Sequence, residues 1–442
     1  MNRICIVGDI LVDVSLKSKG NPLKMRLGGI VHAARCLWAM DIEYSIAYFA
    51  PSYLDVHIHD YLINHGCSEI IKLGNIDNCP YLMLIEEVKE IGDQGYDFVL
   101  RDDVKISYYD DEIKKLAQYE DLFFISGNYD YSHLAESVSV NGRIHFDIAN
   151  NVRDLSFLKT EKKIETIFLS TSSNIFADNY DPDSFSVICF FDLFKPLSKR
   201  VILKENRGGS RAFDFDTGQL VQIPSQTQKI KHSVGVGDVY DVVYIALSNS
   251  KAFSGALNYS SWIATEYAKT TYPSDFKSMV LRILNTPIPE IVELGGCILP
   301  WECRRKCHIY IAAPDFNFIN RSPIDILENS LLYHNFTPHR PIKENGQMEE
   351  NANWSRKQEL FVKDMALLDK CNMLIAVLLY NDPGTLIEIG LAAEKKIPTI
   401  VYDPFCIAKN CMLTQLPDLV SSDLDEIISE VFCLYSKTFT SL

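Results

Sequence analysis

Short apolar runs of strand length recur along the chain, separated by segments with helical spacing or turn residues. ICIVGDI, SIAYFA, LFFISG, RIHFDI, TIFLS, SVICFF and RVILKE all fall within residues 1–285. Apolar runs that alternate with helical segments predict an α/β sheet with helices on both faces. From 286 to 305 the pattern breaks. NTPIPEIVELGGCILPWECRRK holds prolines, a Gly-Gly pair and a basic run, and it reads as a linker. The alternation resumes at a strand over 308–313, followed by a helical stretch over 324–333 and a polar loop over 337–354 that contains His339, Arg340 and Trp354. A loop of that length can act as a lid, although a solvated loop is the plainer reading of its charges.

The last alternation is the densest. Asp364–Cys371 has helical pattern, Met373–Leu379 is a continuous apolar run, and Tyr380–Gly384 is a turn cluster. Leu386–Lys395 is helical again, and Thr399–Tyr402 is a second buried strand. A strand–helix–strand unit of this kind puts its loop at the carboxyl edge of the sheet, where open α/β sheets bind ligands. That loop carries Asp382, Gly384 and Thr385, with Glu388 one turn into the helix. Spacing alone leaves two readings open. Thr385-x-x-Glu388 fits a capping box with Thr385 as N-cap, and Asp382-Pro383-Gly384 is ordinary turn chemistry. Equally, a loop at this edge can present its carboxylates to a bound ligand.

Composition narrows the classes. At 442 residues the chain has room for two or three domains, each with its own core. A formal net charge of −15 argues against a nucleic-acid backbone as the main ligand. No apolar stretch is long enough to cross a membrane. Met1-Asn2-Arg3 leads straight into an apolar strand rather than a signal peptide, and the 12 cysteines lack paired spacing, so a cytoplasmic location with free thiols is expected. Cys303 and Cys307 have the wrong interval for a zinc pair, and no metal site is expected.

DPGTLIEIG, with Asp364 eighteen residues before Asp382 and KKIPTIVY after it, resembles the signature of nucleoside 2-deoxyribosyltransferases and related nucleotide N-glycosidases. The resemblance covers about residues 306–442 and implies a small flavodoxin-like, doubly wound parallel sheet. It implies Glu388 as nucleophile, Asp364 and Asp382 as base contacts, and Tyr310, in HIYIAAPDF, as the phenol that orients Glu388. Gly384 and Thr385 would offer free amides to a sugar hydroxyl or a 5′-phosphate. A frequent Asp before the central strand is Asn372 here. No cofactor is implied for this domain, and a site completed by a neighbouring subunit makes a homo-oligomer the expectation.

Residues 1–285 resemble ribokinase-like carbohydrate and nucleoside kinases, a three-layer α/β/α fold. In GDILVDV, Asp13 would bind substrate hydroxyls. RLGGIVHAARCL resembles the first signature through Gly28 and Gly29, with His32 where the family has Asn. HSVGVGDVYDVVY resembles the second signature. There the amides of Gly235, Val236 and Gly237 would form an anion hole and Asp238 would be the base. An active kinase of this family uses ATP and Mg²⁺. Departures are visible, however. His232 replaces an Asp, and the NxxE element reads Asn174-Ile175-Phe176-Ala177, its Glu lost. Asp178 would sit about 100° round the helix from that position.

The expectation is therefore a glycosyltransferase or N-glycosidase acting on a small nucleoside or nucleotide. Its kinase-like domain would bind a nucleotide or sugar and regulate the effector, as in a nucleotide-degrading phage-defence protein. The alternative is a bifunctional salvage enzyme with an active ATP-dependent kinase.

Overall fold

A computed structural model describes residues 3–17, 22–77, 80–99, 104–138, 142–150, 152–159, 162–181, 186–349 and 351–439. The chain divides into two compact units, one of residues 1–89 and 94–298, the other of residues 90–93 and 299–442. Among the described residues no helix is long and apolar enough to cross a membrane, and the cysteines are free thiols.

In the first unit, ten strands form one sheet among the described residues. From one edge the order is Gln219–Ile223, Ser210–Asp214, Ser198–Lys204, Ile164–Ser170, Arg143–Asp147, Asp121–Ile125, Ile4–Asp9, Tyr44–Ala50, Glu69–Asp77 and Lys105–Tyr108. Pairing is parallel through the centre and antiparallel at the edges. The central strands are buried on both faces, which is why they read as unbroken apolar runs rather than alternating ones. Ile4–Asp9 lies between Tyr44–Ala50 and Asp121–Ile125, so strand order reverses there. A switch point of this kind opens a crevice at the carboxyl ends of the strands. Beside it a separate four-stranded sheet runs Lys24–Leu27, Val12–Ser15, Leu82–Ile85, Tyr96–Val99. Helices Val31–Ala39, Val236–Leu247 and Phe253–Lys269 share the main core with the sheet. This is the α/β architecture, a mostly parallel sheet packed with helices, that the sequence led one to expect.

Two elements differ from the sequence reading. SVICFF contains a helix, Val187–Phe191, capped by Ser186 accepting from the Ile188 amide at 3.2 Å. A six-residue apolar run has no decisive period, and the local cap decided it. The stretch read as a linker also belongs to folded units. Helix Ile288–Glu293 buries Ile291 in the first core, and Cys297 exchanges backbone hydrogen bonds with Ser225 at 3.0 and 2.9 Å. Pro287 and Pro300 stand at the N-caps of short helices, a position proline tolerates, instead of interrupting structure.

The second unit is an all-parallel sheet in the order Thr337–His339, His308–Ala312, Met373–Val377, Thr399–Tyr402, Leu419–Ser421. In chain order this is 2-1-3-4-5, the flavodoxin-like doubly wound arrangement, whose switch point lies between the first and third strands. Tyr310 is on His308–Ala312, and the loop carrying Asp382 follows Met373–Val377. The stretch over 337–354 is not a structureless loop. It holds Thr337–His339, helix Pro341–Asn345 and the start of helix Trp354–Leu368, while Trp354 itself is 79% exposed.

Candidate functional site

In the second unit, Asp382 is the N-cap of helix Pro383–Glu394. Its Oδ2 accepts from the Thr385 amide at 2.8 Å and from the Thr385 hydroxyl at 3.0 Å. This settles the capping-box question differently from the spacing. The cap is Asp382, so Glu388 is released from the helix start. It also corrects the expectation for Thr385, which is buried with its amide spent on the cap and unable to serve a ligand. Gly384, beside it, is exposed.

Glu388 instead meets the first strand. The Tyr310 hydroxyl donates to Glu388 Oε1 at 2.6 Å, a charge-assisted bond between residues 78 apart in sequence. Burial pushes the Glu388 carboxyl up to about 7. The Tyr310 bond opposes this, while the charges of Asp364 and Asp382 add to it. Burial likewise raises the Tyr310 phenol, reinforced by Glu388 and then Asp364. Asp364, half-buried on helix Trp354–Leu368, accepts from Asn345 Nδ2 at 2.8 Å and is raised by burial against that bond. The switch point thus gathers one phenol and three carboxyl groups, and Glu388 feels the charges of Asp364 and Asp382. Carboxyl groups shifted by burial and by one another's charge mark a candidate functional site.

Arg340 and His339 have other occupations. Arg340 is buried, with Asp315 at 2.9 and 2.7 Å, Asp325 at 2.6 Å and Glu328 at 2.6 Å. It is an internal tie and neither a solvated loop residue nor a phosphate ligand. His339 contacts His308 and Glu344, each at 2.8 Å.

In the first unit the predicted residues also converge, with altered chemistry. Asp13 Oδ2 lies 3.0 Å from His32 Nε2 and 3.6 Å from Arg26 Nε. A carboxylate only accepts, so Nε2 carries the proton, and Nδ1 accepts from the Tyr267 hydroxyl at 2.7 Å. Burial lowers His32 to about 4, keeping it neutral. Gly28 is required by close approach, since a Cβ there would fall 2.2 Å from Asp13 Oδ1. Gly29 lies at the end of the same turn, where a Cβ would meet the Asp9 carbonyl oxygen. Gly235 sits at φ +76° as N-cap of Val236–Leu247, and a Cβ would strike the His32 ring at 2.2 Å. The Val236 amide is spent on the Ser233 carbonyl at 3.2 Å, a correction to the expected three-amide hole. Asp238 is raised to about 7, by burial and then by Asp147, against the pull of Lys204. His232 is buried, its Nε2 donating to the Thr270 carbonyl at 3.1 Å.

Lys204 was invisible to motif reading. Its ammonium lies 2.6 Å from Asp241 Oδ2 and 3.2 Å from Asp147 Oδ1, and 3.2 Å from where a Gly237 Cβ would be. Burial alone would lower its pKa, yet the two carboxylates raise it. Asn174 opens helix Asn174–Asn179, its amide donating to the Asn150 carbonyl at 2.8 Å. Asp178 does not replace the lost Glu, because it pairs on the surface with Arg153 at 2.5 Å. These residues do not fit the Mg²⁺ that the kinase resemblance implies. Ala177 has no carboxylate, and Asp147 and Asp241 are already held by an ammonium. Asp9 was also missed. It is buried at the switch point, where Tyr81 donates to its Oδ2 and the Asn128 amide does so at 2.9 Å.

Residues 309–411 match the model of a family described as nucleoside 2-deoxyribosyltransferase. They contain Tyr310, Asp364, Asp382 and Glu388. No curated protein matches the chain. Among solved structures, Arabidopsis thaliana ribokinase complexed with ribose and ATP is 13% identical, with TM-score 0.46 over 65% of this chain and 99% of its own. Thermotoga maritima ribokinase is 16% identical, with TM-score 0.47 over 65% of this chain and 100% of its own. Escherichia coli phosphofructokinase-2 with substrates and products is 13% identical, with TM-score 0.47 over 64% of this chain and 100% of its own. The family match lies within the second unit, and the solved structures are similar to this chain over 64–65% of its length.

Proposed function

We propose that the second unit cleaves or transfers the N-glycosidic bond of a nucleoside or nucleotide. The observation that carries this reading is the Tyr310–Glu388 bond inside the family-matched segment. Glu388 attacks the anomeric carbon as its ionised form, aimed by the phenol. As the C–O bond forms the C–N bond breaks, and its electron pair leaves with the base, which Asp364 and Asp382 hold and which takes up a proton from solvent. A glycosyl-enzyme ester then passes the sugar to water or to a second base. The Asp382 oxygen left outside the cap, Oδ1, is the one available to the base.

The first unit serves as a binding module for a nucleotide or phosphorylated sugar and controls the second, as in a nucleotide-degrading defence effector. Supporting this, Asp13 is engaged by His32 and the carboxylates near the glycine turn are engaged by Lys204. Phosphoryl transfer there is expected to be slow. The salvage reading, with an active kinase, draws on Asp238, poised near neutrality beside the turn. A homo-oligomer whose neighbouring subunit completes the site around residues 306–442 is part of the proposal. The test is incubation of the full-length protein with nucleosides, nucleotides and NAD, with and without an acceptor base, followed by chromatography for free base and sugar. Free base from any of them supports the glycosidic reading, and rapid ATP-dependent phosphorylation of ribose or a nucleoside favours the salvage reading. Loss of base release on dilution to monomer tests the shared site.

A further inference from the structure

The polar stretch between Thr337–His339 and Trp354–Leu368 delivers one side chain into the carboxylate cluster. Helix Pro341–Asn345 is a single turn, yet it is tied down along its length. Arg340, at its N-cap, is buried among Asp315, Asp325 and Glu328. Lys343 bonds Glu328 at 2.6 Å, and Glu344 bonds His339 at 2.8 Å. The last residue of the turn, Asn345, is held by these ties, and its Nδ2 reaches Asp364 Oδ1 at 2.8 Å. An ionised carboxylate can only accept, so the amide must face it through its NH₂.

We infer that Asn345 is a positioning residue for the glycosidic site, fixing the plane and the ionised state of Asp364 so that its second oxygen, Oδ2, is presented to the departing base. This rests on the glycosidic reading above. Asp364 stands on a different element from Asn345, so the bond joins the one-turn helix to the long helix behind the site. Without the bond, the Asp364 carboxyl turns about its own side-chain axis and takes up a proton more readily in its partly buried setting. Because the charge of Asp364 is felt by Glu388 and by Tyr310, the loss also reaches the nucleophile.

The test uses full-length Asn345→Ala and Asn345→Asp. Base release by Asn345→Ala is expected to fall about tenfold in kcat/KM, the weight of one hydrogen bond to a charged group. The acid side of its pH profile is expected to move to higher pH. Asn345→Asp, which sets a second carboxylate against the first, is expected to lose more. Titration of Asp364 supplies a readout that needs no substrate. It is followed as the ¹³C carboxyl signal that disappears in Asp364→Asn, and it should move upward in Asn345→Ala. An unmoved titration, or a uniform fall in rate with an unmoved pH profile, overturns the inference. Should the wild-type protein release no base while the titration still moves, the glycosidic reading fails and the Asn345–Asp364 coupling stands.

Discussion

Replacing Glu388 by glutamine separates a catalytic carboxylate from a helix-capping one. Glutamine keeps the shape and an acceptor for the Tyr310 hydroxyl but cannot ionise. In the wild type, burial raises Glu388 from an ordinary 4.5 to about 7. An acid whose folded pKa exceeds its unfolded one contributes stability that is complete below the unfolded value. That contribution is lost as pH rises through the folded value. A shift of that size, at about 1.4 kcal/mol per unit, corresponds to up to about 3 kcal/mol. Glu388→Gln should therefore match the wild type near pH 4 and exceed its stability by up to about 3 kcal/mol at pH 8. Its base release should be near zero at both. Because a chain of two units need not unfold in one step, stability is best read by hydrogen exchange over Met373–Val377 at each pH. A variant destabilised by about 0.5–2 kcal/mol at pH 8, as a lost cap would be, refutes the reasoning. So does a stability difference that ignores pH.

Three further outcomes are expected. Tyr310→Phe should lower kcat about ten- to a hundredfold, the weight of a hydrogen bond to a charged group. It should also move the acid limb of the pH profile upward, because the phenol bond opposes the rise of Glu388; steady-state kinetics across pH check both. Asp382→Ala should cost about 0.5–2 kcal/mol in thermal or urea unfolding as a lost N-cap and also reduce base release; loss of stability alone would confine Asp382 to capping. Lys204→Met should destabilise the first unit by about 3–5 kcal/mol by stranding Asp147 and Asp241. The penalty should shrink as pH falls and those carboxyls protonate, which urea titrations at two pH values measure.

Local apolar pattern made much of the framework readable. Thr399–Tyr402 appears with the bounds its sequence suggests, because a short buried parallel strand is an uninterrupted apolar run. Glu388 was harder. Thr385-x-x-Glu388 satisfies a capping box and a catalytic helix equally, and the structure removes the capping box by giving the cap to Asp382 and bonding Glu388 to Tyr310. Lys204 ends a strand and reads as a solvated lysine, because its carboxylate partners lie 57 and 37 residues away. Arg340 was misread for the same reason, its three partners being brought to it by the fold. Nor does any sequence signal set Glu90–Asp93 apart to fold with the second unit. There Tyr333 donates to Glu90 Oε1 at 2.9 Å. Periodicity reports which face is buried, and it is silent about which distant charge will meet another inside.

The central claim is that Glu388 is the nucleophile of an N-glycosidic reaction. The most direct measurement compares free base released by full-length wild type and Glu388→Ala across the nucleoside and nucleotide panel, with circular dichroism to show that both are folded. The account predicts base release by the wild type and none above background by the folded variant. A folded Glu388→Ala protein that releases base at the wild-type rate contradicts it.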